Sequence, residues 1–433
     1  MSKLPRLYYY SPILVFLLFL RPSLDPIFNV LKFGSMGLGA LVNVLMLYIL
    51  YAILSHSRFK PNKVSIFWLP LLISMAIGIF YTPEMGKGIR SLLVVITYMA
   101  VFLLPFHFIK SKEHFVECIK IVVYSSFIPI IAVVYEFVFP AGSTNQNGFR
   151  LFSTFSHPNV FAFYLVTIVS VCFFVIKSDL FASETKFRQQ CWVVLALSLM
   201  CILGTKTRSA WAVVALLVLI YGIFREKKYL VYLLIASSIA LLIPSIQERV
   251  LDLLQGNDPD ALLENYEALN SYAWRKVIWA GAMEKFWEQP IFGFGYESFT
   301  HYSGAFFIIE SDEGIGAHNT YVQLLFEIGI VGFIAFLWLL VPLMIRLWRL
   351  RHKARENIIV FGLFVSYCLI HYSDNVFDYL VFNWYFWFFT GAFLAYNKLE
   401  VKKINKSTEP TNRSKQSTSC RIKVNKQFDA REL

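Results

Sequence analysis

Stretches such as LPLLISMAIGIFY recur along almost the whole chain, many of them near the length needed to cross a bilayer. Nothing constrains the fold more. Apolar segments fall at roughly 8–20, 36–54, 65–81, 91–108, 117–139, 159–176, 190–204, 209–224, 229–246, 320–345, 357–373 and 378–396, or about twelve spans. The expected architecture is all-α and polytopic. A transmembrane β-barrel would show short alternating segments instead of continuous runs. Composition agrees: 57% of the 433 residues are hydrophobic and 16% charged, where a soluble domain carries about a quarter. The run SPILVFLLFL has signal-like length, but Arg21 and Pro22 follow it without a small-x-small cleavage site, so it reads as a retained first helix.

Charge orients the spans. With the N-terminus in the cytoplasm, the alternate loops on that side hold Arg58/Lys60/Lys63, Lys110/Lys112, Lys177/Lys186/Arg188, Arg225/Lys227/Lys228 and Arg346/Arg349/Arg351/Lys353/Arg355, together with the basic tail after Lys398. That is the positive-inside pattern, with both termini inside. It also explains the formal charge of +12 without nucleic acid. The expected division is 1–246 for spans one to nine, 247–319 for one large outer loop between spans nine and ten, 320–396 for spans ten to twelve, and 397–433 for a disordered basic tail. Inside the loop, Ala273, Val277, Ile278, Ala282 and Phe286 recur at helical spacing and Pro290 ends the pattern. Trp274, Trp279 and Trp287 suit an amphipathic helix at the membrane interface, and GFGYESF reads as a glycine-hinged turn. The six cysteines avoid the outer loops and predict no disulfide framework.

The cations left on the outer face include Lys87, Arg90, Arg150, Lys206, Arg208 and Arg275, with His157 and His318 beside them. Positive charge collected where the inside rule disfavours it points to an anionic ligand. Three stretches carry these groups: FRLFSTFSHPNVFAF, with Arg150, His157 and Asn159; GTKTRSAWAVVAL, with Lys206 and Arg208; and AHNTYVQLLFEIGIVGF, with His318 and Asn319, which follows the loop helix of Arg275. Each has a plainer reading. An arginine at a helix end can snorkel to headgroups, His-Pro-Asn can be turn chemistry, and Asn319 is a good N-cap. Asp374 and Asp378 could orient an arginine or meet sugar, although solvation accounts for them as well.

In order, spacing and helix context the three stretches resemble the O-antigen ligase and polymerase superfamily of bacterial envelope glycan enzymes, over about 145–345. The resemblance implies a glycan on undecaprenyl diphosphate, transferred en bloc at the periplasmic face of the inner membrane, with neither metal nor cofactor. It carries over Arg208, Arg275 and His318 as catalytic residues, with Lys206, Arg150, His157, Asn159, Asn319 and Arg90 expected to bind substrate. The physical argument runs parallel. Guanidinium groups stabilise the charge that builds on a diphosphate leaving group, and an imidazole takes the proton of an acceptor hydroxyl. The RLFSTFSHPN stretch resembles polymerase members more than ligases, so the resemblance favours a polymerase of O-antigen or exopolysaccharide repeats over a ligase acting on lipid A-core or protein. The implied partners are the lipid-linked donor, the acceptor glycan, membrane lipid, a chain-length regulator and a flippase. A twelve-helix transporter is the distant alternative, since it would place its charges at the bilayer midplane.

Overall fold

A computed structural model describes residues 5–24, 32–33, 36–56, 63–139, 144–145, 148–254, 271–307 and 314–408. Arg58 and Lys60 of the first basic loop, the parts 255–270 and 308–313 of the large loop, and the tail from 409 lie outside the described residues. Among the described residues the chain is helical except for two pairs of two-residue strands, Lys32–Phe33 with Met36–Gly37 and Thr144–Asn145 with Gly148–Phe149. The helices are α1 (Pro5–Leu20), α2 (Leu38–His56), α3 (Leu69–Ile79), α4 (Met85–Leu103), α5 (Pro105–Phe108), α6 (Lys112–Tyr124), α7 (Phe127–Val138), α8 (Pro158–Lys177), α9 (Thr185–Gly204) and α10 (Arg208–Phe224). They continue as α11 (Lys228–Ala240), α12 (Pro244–Leu254), α13 (Ser271–Phe286), α14 (Phe299–Phe306), α15 (Thr320–Leu350), α16 (Asn357–Ser373) and α17 (Leu380–Thr408).

Five helical stretches are long and apolar enough to cross a membrane by length and composition: Met85–Phe108, Lys112–Val138, Pro158–Lys177, Thr185–Gly204 and Thr320–Leu350. Six further apolar helices are shorter. The chain is a multi-pass membrane protein. α8 forms its axis, since nearly every residue from Val160 to Ile176 is buried, whereas a lipid-facing helix would leave one side open. α17 buries Val381, Phe382 and the aromatic run from Trp384 to Phe389 beside it, where Tyr367 and Phe386 stack with centroids 3.8 Å apart.

Three differences from the expected layout have physical reasons. α17 runs on to Thr408, past the expected start of the tail at 397, because NKLEVKKINK is made of residues compatible with helix and contains neither Gly nor Pro. The ninth apolar segment divides: α11 stops at Ala240 after 13 residues with none buried, and Pro244 opens a separate helix. The loop helix α13 forms as predicted, and Ala273, Ile278, Ala282 and Phe286 are its buried face. Its tryptophans, however, serve the loop itself. Trp274 packs edge-on against Phe307 and His318, and Trp279 donates to the Ala317 carbonyl at 2.7 Å, while Trp287 stays exposed.

GFGYESF is more than a turn. α15 is interrupted at Gly329, whose φ of 65° and ψ of −169° no other residue type adopts comfortably. The chain around Gly293 lies along the break: the Phe294 and Gly295 amides donate to the Phe326 and Glu327 carbonyls, and the Ile330 and Val331 amides donate to Pro290 and Ile291. The polar backbone groups freed by the break are thus paired by protein, as the low-dielectric setting demands. Tyr296 continues the contact by donating its amide to the Gly78 carbonyl at the end of α3.

Candidate active site

The ends of α8, α9, α10, α15, α16 and α17 meet at one pole of the bundle. Asn319 makes the start of α15 there: its Oδ1 accepts from the Tyr321 and Val322 amides at 3.0 and 3.2 Å, and the residue is 2% exposed. His157 does the same for α8, its Nδ1 accepting from the Asn159 amide at 3.1 Å. Both side chains are therefore engaged in caps, the plainer of the readings their sequence allowed.

Immediately before the Asn319 cap, His318 holds a left-handed backbone with φ of 47°, a strained conformation for a non-glycine residue. The strain turns its ring toward the end of α16, where Nδ1 lies 3.2 Å from Oδ1 of Asp374. Asp374 is 2% exposed. Its Oδ2 accepts from Asn159 Nδ2 at 2.8 Å, and its Oδ1 also accepts from the Asn375 amide at 3.0 Å. Burial alone would raise this carboxyl's pKa. The hydrogen bond and charge of His318, with the bonds from Tyr379 and Asn159, override it and hold the group at about 2. It is a fixed anion.

Asn159 ties that anion to a cation. Its Oδ1 accepts from Arg150 Nη2 at 3.1 Å and from Thr207 Oγ1 at 3.2 Å. Arg150 also donates from Nε to the Thr205 carbonyl and from Nη2 to Thr207 Oγ1, locking the turn that joins α9 to α10. In that turn Lys206 takes φ of 53°, and Arg208 opens α10. Arg275 comes from α13. Burial pulls its pKa down, Asp374 opposes that, and Arg208 adds to it, so all three groups sense one another; the guanidinium stays charged. For His157, burial lowers the pKa first, with Asp374 opposing and Arg150 and His318 reinforcing.

The structure thus brings together His318, Arg208, Arg275, Arg150, Asn159 and His157 around Asp374. Arg90 is not drawn in: it lies exposed on α4, and among the described residues no hydrogen bond or ion pair joins it to the others. Sequence reasoning undervalued Asp374, because its burial depends on helix ends that lie 56 residues apart from His318 in the chain. A second group of acids stands beside the pair. Glu297 pairs with Lys87 at 3.1 Å, and Glu327 accepts from Gln323 Nε2 at 3.1 Å and from the Phe299 amide at 3.4 Å. Asp378 sits at the mouth of the recess they border. Desolvation, and the nearby Glu297 carboxylate, push its carboxyl up to about 7.

At the opposite pole the helices are clasped by ordinary ion pairs, Lys177 with Glu226 at 2.8 Å and Arg355 with Asp179 at 3.2 Å, and by Ser178 donating to Glu356 at 2.6 Å. The chain resembles no curated protein closely enough to match. Residues 193–337 match the family model described as O-antigen ligase. The matched segment runs from α9 through α10, α13 and α14 into α15, and so contains Lys206, Arg208, Arg275, His318 and Asn319.

Proposed function

We propose that this chain, whose residues 193–337 match the O-antigen ligase family model, works as a member of the O-antigen ligase/polymerase superfamily and transfers a glycan from a lipid diphosphate to a sugar hydroxyl at this pole. The observation that carries the reading is the His318–Asp374 pair at 3.2 Å, set among arginines on helix ends. Asp374 accepts the proton on Nδ1, which leaves Nε2 as the basic nitrogen. Nε2 takes the proton of the acceptor hydroxyl as its oxygen attacks the anomeric carbon, and the buried carboxylate stabilises the imidazolium so formed. The bond from the anomeric carbon to the diphosphate oxygen breaks, and the electron pair leaves on the lipid diphosphate. Arg208 and Arg275, with Lys206 and Arg150 behind them, stabilise that charge. A single displacement of this kind inverts the anomeric centre.

The donor is taken to be undecaprenyl diphosphate-linked, and the pole faces the periplasm of an inner-membrane protein whose termini are cytoplasmic; the distribution of basic loops supports that orientation. The reaction favoured is polymerisation of repeat units, on the FSTFSHPN stretch. The second reading is ligation of the glycan to lipid A-core or to protein, in keeping with the ligase wording of the matched family model. Envelope glycans from a strain lacking the protein, resolved on a gel, separate the two. Core bearing a single repeat identifies a polymerase, bare core with long carrier-linked chains identifies a ligase, and an unchanged pattern rejects both.

A further inference from the structure

We infer that the recess beside His318 is the subsite for the acceptor sugar and that it takes an uncharged sugar in preference to an acidic one. The inference rests on the transferase reading above. The recess is an open surface depression lined by Tyr296, Glu297, Thr320, Gln323, Phe377 and Asp378 among others.

Asp374 separates two environments. Through Oδ2 it bonds Asn159 and so the Arg150 network; through Oδ1 it bonds His318 and the amide of Asn375, which also lines the recess. The first side is cationic and suits a diphosphate. On the second, the carboxylates outnumber the cations, and two of them are already engaged: Glu297 by Lys87, Glu327 by Gln323 and the Phe299 amide. Two acceptors remain. The Oε1 of Gln323 is buried with no hydrogen-bond partner among the described residues, and Asp378, exposed at the mouth, is bonded there only through its own backbone amide, which donates to the Asn375 carbonyl. A lone buried carbonyl is costly unless something donates to it. Sugar hydroxyls are donors, and the Phe377 and Tyr296 rings offer apolar walls for a sugar's C–H face. A diphosphate would bring only acceptors and negative charge, and a uronate would add a carboxylate to its hydroxyls, against the Glu297 carboxylate and the acceptor oxygens of Asp378. The recess therefore excludes the donor's phosphates and seats the acceptor within reach of the base.

Saturation-transfer NMR on the full-length protein in detergent tests this, using methyl glycosides of glucose, galactose and N-acetylglucosamine against methyl glucuronide as probes. At least one neutral glycoside should bind, and the glucuronide should bind about tenfold more weakly. Asp378→Asn and Gln323→Ala should each weaken the neutral probe about tenfold, and Asp378→Asn should narrow the gap to the glucuronide. Elution and melting of both recess variants establish that they are folded, and either one suffices for the test. No binding of any neutral glycoside, equal binding of the glucuronide, or unchanged binding by a folded recess variant overturns the proposal. Because the readout is binding, it fails separately from the transferase reading, which stands or falls on glycan transfer by Arg208 and His318 variants.

Discussion

His318 and Asp374 are bonded Nδ1 to Oδ1 at 3.2 Å, and the acid is 2% exposed while the histidine side chain is 39% exposed. A buried acid behind a half-open imidazole leaves one ring nitrogen facing outward. If Nε2 is the base, Asp374→Asn should cut glycan transfer about a hundredfold or more, because the amide can favour the other tautomer and cannot balance an imidazolium. His318→Ala and Arg208→Ala should abolish transfer while insertion in the membrane stays normal. Ladder length on glycan gels, beside quantification of the protein in membranes, checks all three. Normal polysaccharide in any of them removes that residue from the mechanism.

Arg150 has a different role. It bridges Thr205, Thr207 and Asn159, and through Asn159 it bears on Asp374. Lysine cannot reproduce a fork that donates from Nε and Nη2 at once. Arg150→Lys should therefore behave much as Arg150→Ala, with transfer down about tenfold and a lower melting temperature in detergent, since three acceptors lose this donor. Full activity in the lysine variant would show that charge alone matters at this position.

How much of this the sequence made legible follows from the range of each interaction. Arg208, Arg275 and His318 could be gathered onto one face from the alternation of spans alone, because topology needs only hydropathy and charge. The α13 helix was visible in the spacing of Ala273, Ile278 and Phe286. The burial of Asp374 was not, because Asn159, His318 and Tyr379 reach it from three separate helix ends. Nor was the inward turn of Trp274 and Trp279. An amphipathic stripe looks the same whether lipid or a second small core covers it, and here Phe294, Phe299 and Phe326 do. The break at Gly329 lies inside a segment whose hydropathy reads as one continuous span, and the segment that repairs it is about 35 residues earlier.

The two carboxyls at the site give stability opposite pH dependences. Asp374, held at about 2 against an ordinary 3.8, contributes stability that is present above pH 4 and is lost as pH falls toward 2. Asp378, raised to about 7, favours its protonated form in the fold, so its contribution is present below pH 4 and is lost as pH rises toward 7. The melting temperature of Asp378→Asn relative to the native protein should therefore rise between pH 4 and 7 and level off above. For Asp374→Asn the deficit should shrink below pH 4. Melting of each detergent-solubilised variant across pH 3–8 reads both, and a flat difference for Asp378→Asn would place that carboxyl at its ordinary value.

Gly329 tests whether the broken helix is held by its partner strand of chain. A Cβ on Gly329 would lie 2.3 Å from the Ile291 carbonyl oxygen and 2.7 Å from the Gly293 amide nitrogen, and the φ of 65° is itself unfavourable to alanine. Backbone lies on the other side of both contacts, so no side-chain rotation relieves them. Gly329→Ala should cost at least about 1–3 kcal/mol from the dihedral alone, with the clash added. Gly293→Ala should behave alike, its Cβ falling 2.4 Å from the Phe326 carbonyl that the loop must approach. Gly304→Ala is the control, because nothing lies within 4 Å of its Cβ and alanine suits a helix better than glycine. Thermal unfolding in detergent should lower both strained variants by several degrees and leave the control at or above the native value. Native-like melting of Gly329→Ala would mean that α15 can straighten without the loop, and that the break is not required by the fold.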